Sequence, residues 1–151
     1  TLFRSIALVQ LEEPLKEFST YIRPVCMPDG SETFDEQSKC YVTGFGRTQQ
    51  GGELAGMLRM AKIPLVSKKT CKQAYGEKLT DRMICAGFPK GGIDACQGDS
   101  GGPLSCLHEG RWYLTGVVSW GVGCAQPNAY GVYSKVQVLK DWVQATIKAN
   151  E

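Results

Sequence analysis

Ser100 sits within Gly98-Asp99-Ser100-Gly101-Gly102, and a serine set among glycines is a candidate nucleophile. A serine hydroxyl attacks poorly at neutral pH. It needs a base to take its proton and N–H donors to hold the oxyanion that forms on the attacked carbonyl. The glycines meet the second need. A backbone without Cβ atoms turns sharply and lets a substrate come close, so the amides of Gly98 and Ser100 can point into one small space. The chemistry predicted is acyl transfer through a serine-bound acyl group. A Gly-x-Ser-x-Gly string alone is a weak signal, because another hydrolase fold uses the same pattern. No base stands beside it: the sole histidine, His108, follows Ser100 by eight residues, just before Glu109-Gly110, and reads as a surface loop residue.

Short strands must hold this loop. With 18 glycines and almost no long helical periodicity, the chain reads as strands joined by turns, at 6–11, 39–45, 57–66, 82–86, 103–107, 112–120 and 131–136. That spacing predicts a closed barrel or a sandwich. The segment 27–38, with Asp29, Glu32, Asp35 and Glu36 among Pro and Gly, reads as an exposed acidic loop or connector. Two stretches read as helical. Ser67 is placed to cap a short turn carrying Lys68, Lys69, Cys71 and Lys72, and Val138, Leu139, Trp142, Val143, Ala145 and Ile147 form an apolar stripe that should dock on the barrel. Arg59, Lys62, Lys68, Lys69, Lys72 and Lys78 face only Glu77 in their stretch, either a surface for polyanions or a solvated face, the commoner outcome.

A length of 151 residues is enough to bury one core, and Thr1 opens the chain within a strand-like stretch without an initiator Met, which predicts a piece of a longer sequence. Seven cysteines without a Cys-x-x-Cys and histidine ligand pattern predict an oxidised, extracellular chain and no metal site. The odd count leaves one cysteine for a partner elsewhere. A net charge of +2 is too small to imply a nucleic-acid partner.

The wider context of Ser100, Gly92-Ile93-Asp94-Ala95-Cys96-Gln97-Gly98-Asp99-Ser100-Gly101-Gly102-Pro103, resembles the nucleophile loop of trypsin-like serine proteases. Further blocks in order carry the same resemblance: Ile6-Ala7-Leu8, Arg23-Pro24-Val25-Cys26-Met27-Pro28, Cys40-Tyr41-Val42-Thr43-Gly44-Phe45-Gly46, Met83-Ile84-Cys85-Ala86-Gly87, Val118-Ser119-Trp120-Gly121 and Gly131-Val132-Tyr133. The resemblance implies an all-β, chymotrypsin-like double β-barrel, of which this chain holds mainly the second, six-stranded barrel and a C-terminal α-helix. By that reading residues 1–25 end the first barrel and connect, 26–136 form the second barrel and 137–149 the helix.

The resemblance also implies roles. Ser100 is the nucleophile, with oxyanion donors at Gly98 and Ser100. Cys40 pairs with Cys106, Cys71 with Cys85 and Cys96 with Cys124, while Cys26 reaches a propeptide or stem segment outside the chain. Asp94 lies at the floor of the primary substrate pocket, six residues before Ser100. A buried carboxylate is costly without a cation, so the pocket should select Arg or Lys, where the bland reading is an ordinary loop carboxylate. Ala95, where many relatives carry Ser, favours Arg, which bridges a carboxylate bidentately without help. Gln97, Trp120, Gly121 and Gly131 belong to the substrate-binding set, and Ser119 to Gly121 to an edge that pairs with substrate backbone. Asp99 resembles the carboxylate that pairs with a new N-terminal ammonium on zymogen activation.

Two positions depart from the pattern. Ser5 stands in Ser5-Ile6-Ala7-Leu8 where the family carries the triad Asp, and an uncharged residue in place of that acid lowers kcat about ten-thousand-fold in a well-characterised member of this same family. Tyr130 stands where many relatives carry Pro, which allows a Na+ ion held by loop carbonyls. The expected function is therefore a secreted or membrane-anchored extracellular serine endopeptidase cutting after Arg and less readily after Lys, with no required cofactor, protein substrates and serine protease inhibitors as partners. The competing expectation is an inactive protease-like binding module.

Overall fold

The computed structural model describes residues 6–150. Alternating side chains set the first strand. In β1, Lys39–Gly44, Cys40 and Val42 point inward and are buried while their neighbours are not, which is the period-two pattern of a sheet with one face on a core. β2, Arg59–Lys62, and β3, Leu65–Val66, follow, then the helix α1, Lys68–Tyr75, and β4, Met83–Ala86. β5, Pro103–His108, β6, Arg111–Trp120, and β7, Gly131–Lys135, complete the strands, and a 3-10 turn at Val136–Leu139 leads into α2, Lys140–Lys148.

Among the described residues these strands form one antiparallel sheet in the order β2-β1-β5-β6-β7-β4-β3. Its two outer members are consecutive in the chain, separated only by Ile63 and Pro64. The Ile63 amide continues the pairing with β1 by donating to the Cys40 carbonyl at 3.1 Å, and the Gly87 amide donates to the Pro64 carbonyl at 2.9 Å on the other side. The sheet therefore meets itself along one bent stretch, and six strands close a barrel without a free edge. The expected single strand 57–66 is bent there because Pro64 has no N–H to give the ladder. Inside lie Cys40, Val42, Ile63, Leu65, Ala86, Leu104, Cys106, Val118 and Tyr133.

Disulfides tie the barrel to its loops. Cys40 and Cys106 are partners in the β1–β5 register and are bonded, Cys71 bonds Cys85 and so fixes α1 to β4, and Cys96 bonds Cys124. These are the three expected pairs. Cys26 is a free, half-buried thiol, with its backbone docked against β6 through Cys26 N to Trp112 O at 3.0 Å and Leu114 N to Cys26 O at 2.9 Å.

Four expectations need correction. Residues 6–11 form no strand: Leu8, Val9 and Leu11 are exposed, and no neighbouring strand among the described residues supplies the hydrogen bonds an extended segment needs. The acidic loop is not uniformly exposed, since Glu32 is buried and its carboxylate accepts from the amides of Asp29 at 3.0 Å and Gly30 at 3.3 Å. The C-terminal stripe docks only in part. Val136 and Val143 are buried whereas Val138, Trp142 and Ile147 are exposed, because the segment starts as a 3-10 turn with three residues per turn and one stripe cannot stay on one face across the change. His108 is the last residue of β5 rather than a loop residue, with its ring against Phe34 and Tyr113. Ser67, as expected, caps α1, its hydroxyl accepting from the Thr70 amide at 3.1 Å.

Candidate active site

At one end of the barrel the loop from Cys96 to Gly102 is folded tightly on itself. The Asp99 amide donates to the Cys96 carbonyl at 3.0 Å and the Gly102 amide to the Asp99 carbonyl at 2.9 Å. Gly98 has φ +96°, a conformation that L side chains rarely adopt, and a Cβ on it would come within 3.1 Å of the Gly46 Cα. The loop is then fastened to β6, with Gly101 N donating to Val118 O and Val118 N to Gly102 O, both at 2.9 Å. Ser100 is left exposed between these fixed points. Among the described residues no hydrogen bond engages the Gly98 or Ser100 amide, so both donors of the expected oxyanion pair are unspent.

Asp99 faces away from solvent toward the turn after β1. Its Oδ1 accepts from the Gly46 amide at 2.8 Å and its Oδ2 from the Cys96 amide at 2.9 Å, while the Arg47 amide donates to the Gln97 carbonyl at 2.8 Å. A Cβ on Gly46 would lie 2.5 Å from the Asp99 Cγ, which explains why the chain is bare at that point. A cavity of about 650 Å³ opens here, bounded by Asp99, Asp94 and the turn from Gly44 to Gln50.

A second cavity, of about 220 Å³, gathers the residues singled out from the sequence. Asp94, Ala95, Gln97 and Ser100 line one side, and Ser119, Trp120, Gly121 and Gly131 the other. A bulge in β6 between Val118 and Trp120 breaks the register against β7 at this point and turns the strand end toward the cavity. Trp120 is held in place edge-on to Tyr75, with ring centroids 4.9 Å apart. The Cys96–Cys124 disulfide joins the two walls. Gln97 Oε1 lies 3.1 Å from Cys96 Sγ and 3.3 Å from Cys124 Sγ, as contacts rather than hydrogen bonds, since disulfide sulfurs carry no proton.

Asp94 is half-buried at the inner end. Its Oδ1 accepts from the Ala95 amide at 2.8 Å and its Oδ2 from the Ala125 amide at 3.2 Å. Burial pushes its carboxyl above the ordinary carboxylate range, the amides of Ala125 and Ala95 pull it back, and the Asp99 charge adds to the rise. Gly131 makes the carboxylate reachable: a Cβ there would lie 2.7 Å from Asp94 Oδ1 and 3.1 Å from the Tyr133 hydroxyl. Tyr133 is the residue that the sequence reading passed over. Its hydroxyl is buried and has no hydrogen-bond partner among the described residues, and burial raises its phenol pKa. The signal was available, because Tyr133 is two residues beyond Gly131 on one strand and so shares its face.

Ser5 lies outside the described residues. His108 belongs to neither cavity. Among the described residues no group of His, Cys, Asp and Glu could hold a metal ion, and the buried Tyr130 offers its carbonyl to the Tyr75 hydroxyl, so a cation there would share that oxygen with an existing bond.

A closed antiparallel barrel with an exposed serine and a half-buried carboxylate lining one cavity, and two unspent amides in the serine's own loop, defines the second half of a serine-protease fold. The family whose model is described as Trypsin matches residues 2–143, and the chain belongs to this family of serine proteases. The chain is 48% identical over 143 residues to the Suppressor of tumorigenicity 14 protein homolog of Bos taurus, an alignment that covers 94% of this chain and 17% of that protein. The chain thus spans under a fifth of the length of the curated relative it matches. No helix among the described residues is long and apolar enough to cross a membrane.

Proposed function

We propose that the chain carries the nucleophile and the specificity pocket of an extracellular endopeptidase that hydrolyses peptide bonds after Arg, and less readily after Lys. The observation that supports this reading is that Ser100 and Asp94 line one small cavity. An arginine side chain entering past Gly121 and Gly131 sets its guanidinium against the Asp94 carboxylate, whose charge is costly until a cation arrives. Its carbonyl carbon then lies at the cavity mouth. Ser100 Oγ attacks that carbon, forming the C–O bond, while the carbonyl oxygen takes up negative charge and accepts from the amides of Gly98 and Ser100. A histidine outside the 151 residues takes the Ser100 proton and passes it to the leaving amine as the C–N bond breaks. Water then hydrolyses the ester by the reverse path.

On this reading Ser119 to Gly121 pairs with substrate backbone, the Asp99 carboxylate receives the N-terminal ammonium freed by activation, and Cys26 bonds a cysteine elsewhere in the complete protein. No cofactor takes part in the bond changes. Protein substrates and serine protease inhibitors are its partners, and it is secreted or the ectodomain of an anchored protein.

Ser5 favours a second reading, a protease-like binding module that keeps the pocket and has lost turnover. The two part on one experiment. In the complete, activated protein, Ser5→Asp raises turnover of an arginyl ester by up to about ten-thousand-fold if Ser5 replaces the triad acid. Equal turnover of both forms removes that assignment. A complete protein that cleaves no arginyl ester in either form is the binding module.

A further inference from the structure

We propose that Gln50 is a positioning residue of the specificity pocket, carried by the hairpin 46–55 to the turn 123–126 that holds Asp94. The proposal rests on the reading of that pocket as one for an arginine side chain, and it names what keeps the pocket floor in shape.

Within the hairpin, Arg47 and Leu54 form an antiparallel bridge, the Thr48 amide donates to the Glu53 carbonyl at 3.4 Å, and the Gly52 amide donates to the Gln49 carbonyl at 3.0 Å. So small a hairpin does not hold its place alone. This one is fastened at both ends. At its base the Gly46 amide donates to Asp99 Oδ1 and the Arg47 amide to the Gln97 carbonyl, each at 2.8 Å. At its tip Gln50 Oε1 accepts from the Cys124 amide, 74 residues on, at 3.3 Å, and from Gln126 Nε2 at 3.5 Å. Both partners are donors, so the oxygen of the carboxamide, not its nitrogen, faces the turn.

The turn leaves room for that oxygen. A Cβ on Gly123 would lie 2.7 Å from Gln50 Oε1 and 3.0 Å from Gln126 Cγ. Two residues on, Ala125 has φ +54°, the left-handed region in which a Cβ crowds its own backbone. Such strain persists only where the surroundings over-determine it. The Gly92 amide fixes Ala125 from one side by donating to its carbonyl at 2.8 Å, and Gln50 fixes the preceding amide from the other. In that posture the Ala125 amide donates to Asp94 Oδ2 at 3.2 Å and draws the carboxyl down against the rise that burial causes. Gln50 thus touches no substrate and acts on Asp94 through Cys124 and Ala125. The other titratable groups that act on Asp94 or feel its charge are Asp99, Tyr75 and Tyr133, and burial raises both phenols, so neither tyrosine ionises where Asp94 does.

The test replaces Gln50 by Met, which keeps the length and the apolar stem and offers no carboxamide oxygen. In the complete, activated protein, fluorescence titration with an aromatic amidine reads the pocket across pH, and hydrogen-exchange mass spectrometry reads peptides spanning residues 121–126 with no ligand present. Gln50→Met should weaken amidine binding about fivefold at neutral pH, the effect of about one hydrogen bond. It should speed exchange in 121–126 and move the pH midpoint of binding upward, because a loosened Ala125 amide no longer lowers the Asp94 carboxyl. Gln50→Glu, which keeps an acceptor oxygen at the same reach, should restore the neutral-pH affinity and slow the exchange again. A parent that binds the amidine, with Gln50→Met within about twofold of it and the midpoint unmoved, overturns the proposal and leaves the pocket reading standing. Failure of Gln50→Glu to restore what Met removes overturns it as well, since packing alone would then account for the loss. A parent that binds no amidine overturns the pocket reading itself and the proposal with it.

Discussion

Asp94→Asn removes a charge while keeping the shape of the pocket floor. In the parent the carboxylate is fixed by the amides of Ala95 at 2.8 Å and Ala125 at 3.2 Å, and it opens onto a cavity of about 220 Å³. A cation seated there without its counter-charge loses the kind of desolvated ion pair whose truncation costs about 2 to 5 kcal/mol. Because Asp94 is only half-buried, the lower part of that range applies, about 3 kcal/mol or roughly a hundredfold in affinity. The assay is fluorescence titration with an aromatic amidine, a guanidinium mimic, on the complete protein. It needs no turnover, so Ser5 does not enter. Parent affinity should fall as pH drops through the raised Asp94 pKa, since only the ionised carboxylate pairs with the cation, and the variant should be insensitive there. Stability should move the other way. A carboxyl whose pKa is raised by folding contributes stability that is full below the ordinary carboxylate range and is lost as pH rises through the raised value. Asp94→Asn should therefore raise Tm at neutral pH and leave it nearly unchanged in acid. Amidine affinity within about twofold of the parent would refute the pocket assignment, and a lower neutral-pH Tm would refute the burial argument.

Three further outcomes follow from the same geometry. Gly46→Ala puts a Cβ 2.5 Å from the Asp99 Cγ and should cost about 1 to 3 kcal/mol in urea unfolding, whereas Gly56→Ala, with nothing within 4 Å, should be neutral; equal effects would show that Asp99 yields freely. Tyr133→Phe removes a buried hydroxyl without a partner and should stabilise the fold by about 1 kcal/mol in the same assay, a destabilisation meaning that the hydroxyl is hydrogen-bonded in solution. Replacing Cys71 and Cys85 together by Ala opens a loop with a sequence separation of 14 and should lower stability by about 3 kcal/mol, with an unchanged denaturation midpoint counting against it.

The strands that proved legible are those whose two faces differ. Cys40 and Val42 alternate with half-buried residues, and Leu104 and Cys106 do the same in β5, so a period of two is written in the residue types. Residues 6–11 are a nearly continuous apolar run, yet such a run forms no strand without a partner edge. The closure at Ile63 and Pro64 was illegible because it depends on two edges that meet through the fold. The cavity walls could be named in advance only through the resemblance, since Asp94, Gly121 and Gly131 come from separate segments. The hold of Gly46 on Asp99 spans 53 residues, and nothing local announces it. Tyr133 was missed for another reason: an aromatic residue on a core strand reads as packing, although its place two residues beyond Gly131 puts it on the same face.

Asp94 borders both cavities, and Asp99 borders only the larger one. The segment from Asp94 to Asp99 is thus a common wall, with a carboxylate at each end, and the Asp99 charge adds to the cost of an ionised Asp94. On the proposed reading an ammonium delivered to Asp99 removes that push. It lowers the cost of an ionised Asp94 and so strengthens the grip on an arginine, and by reciprocity an arginine held at Asp94 favours the ammonium at Asp99. No moving part is needed for that sign of coupling. The spacing of two carboxylates along one loop is sufficient, and the nucleophile Ser100 follows directly after the second of them.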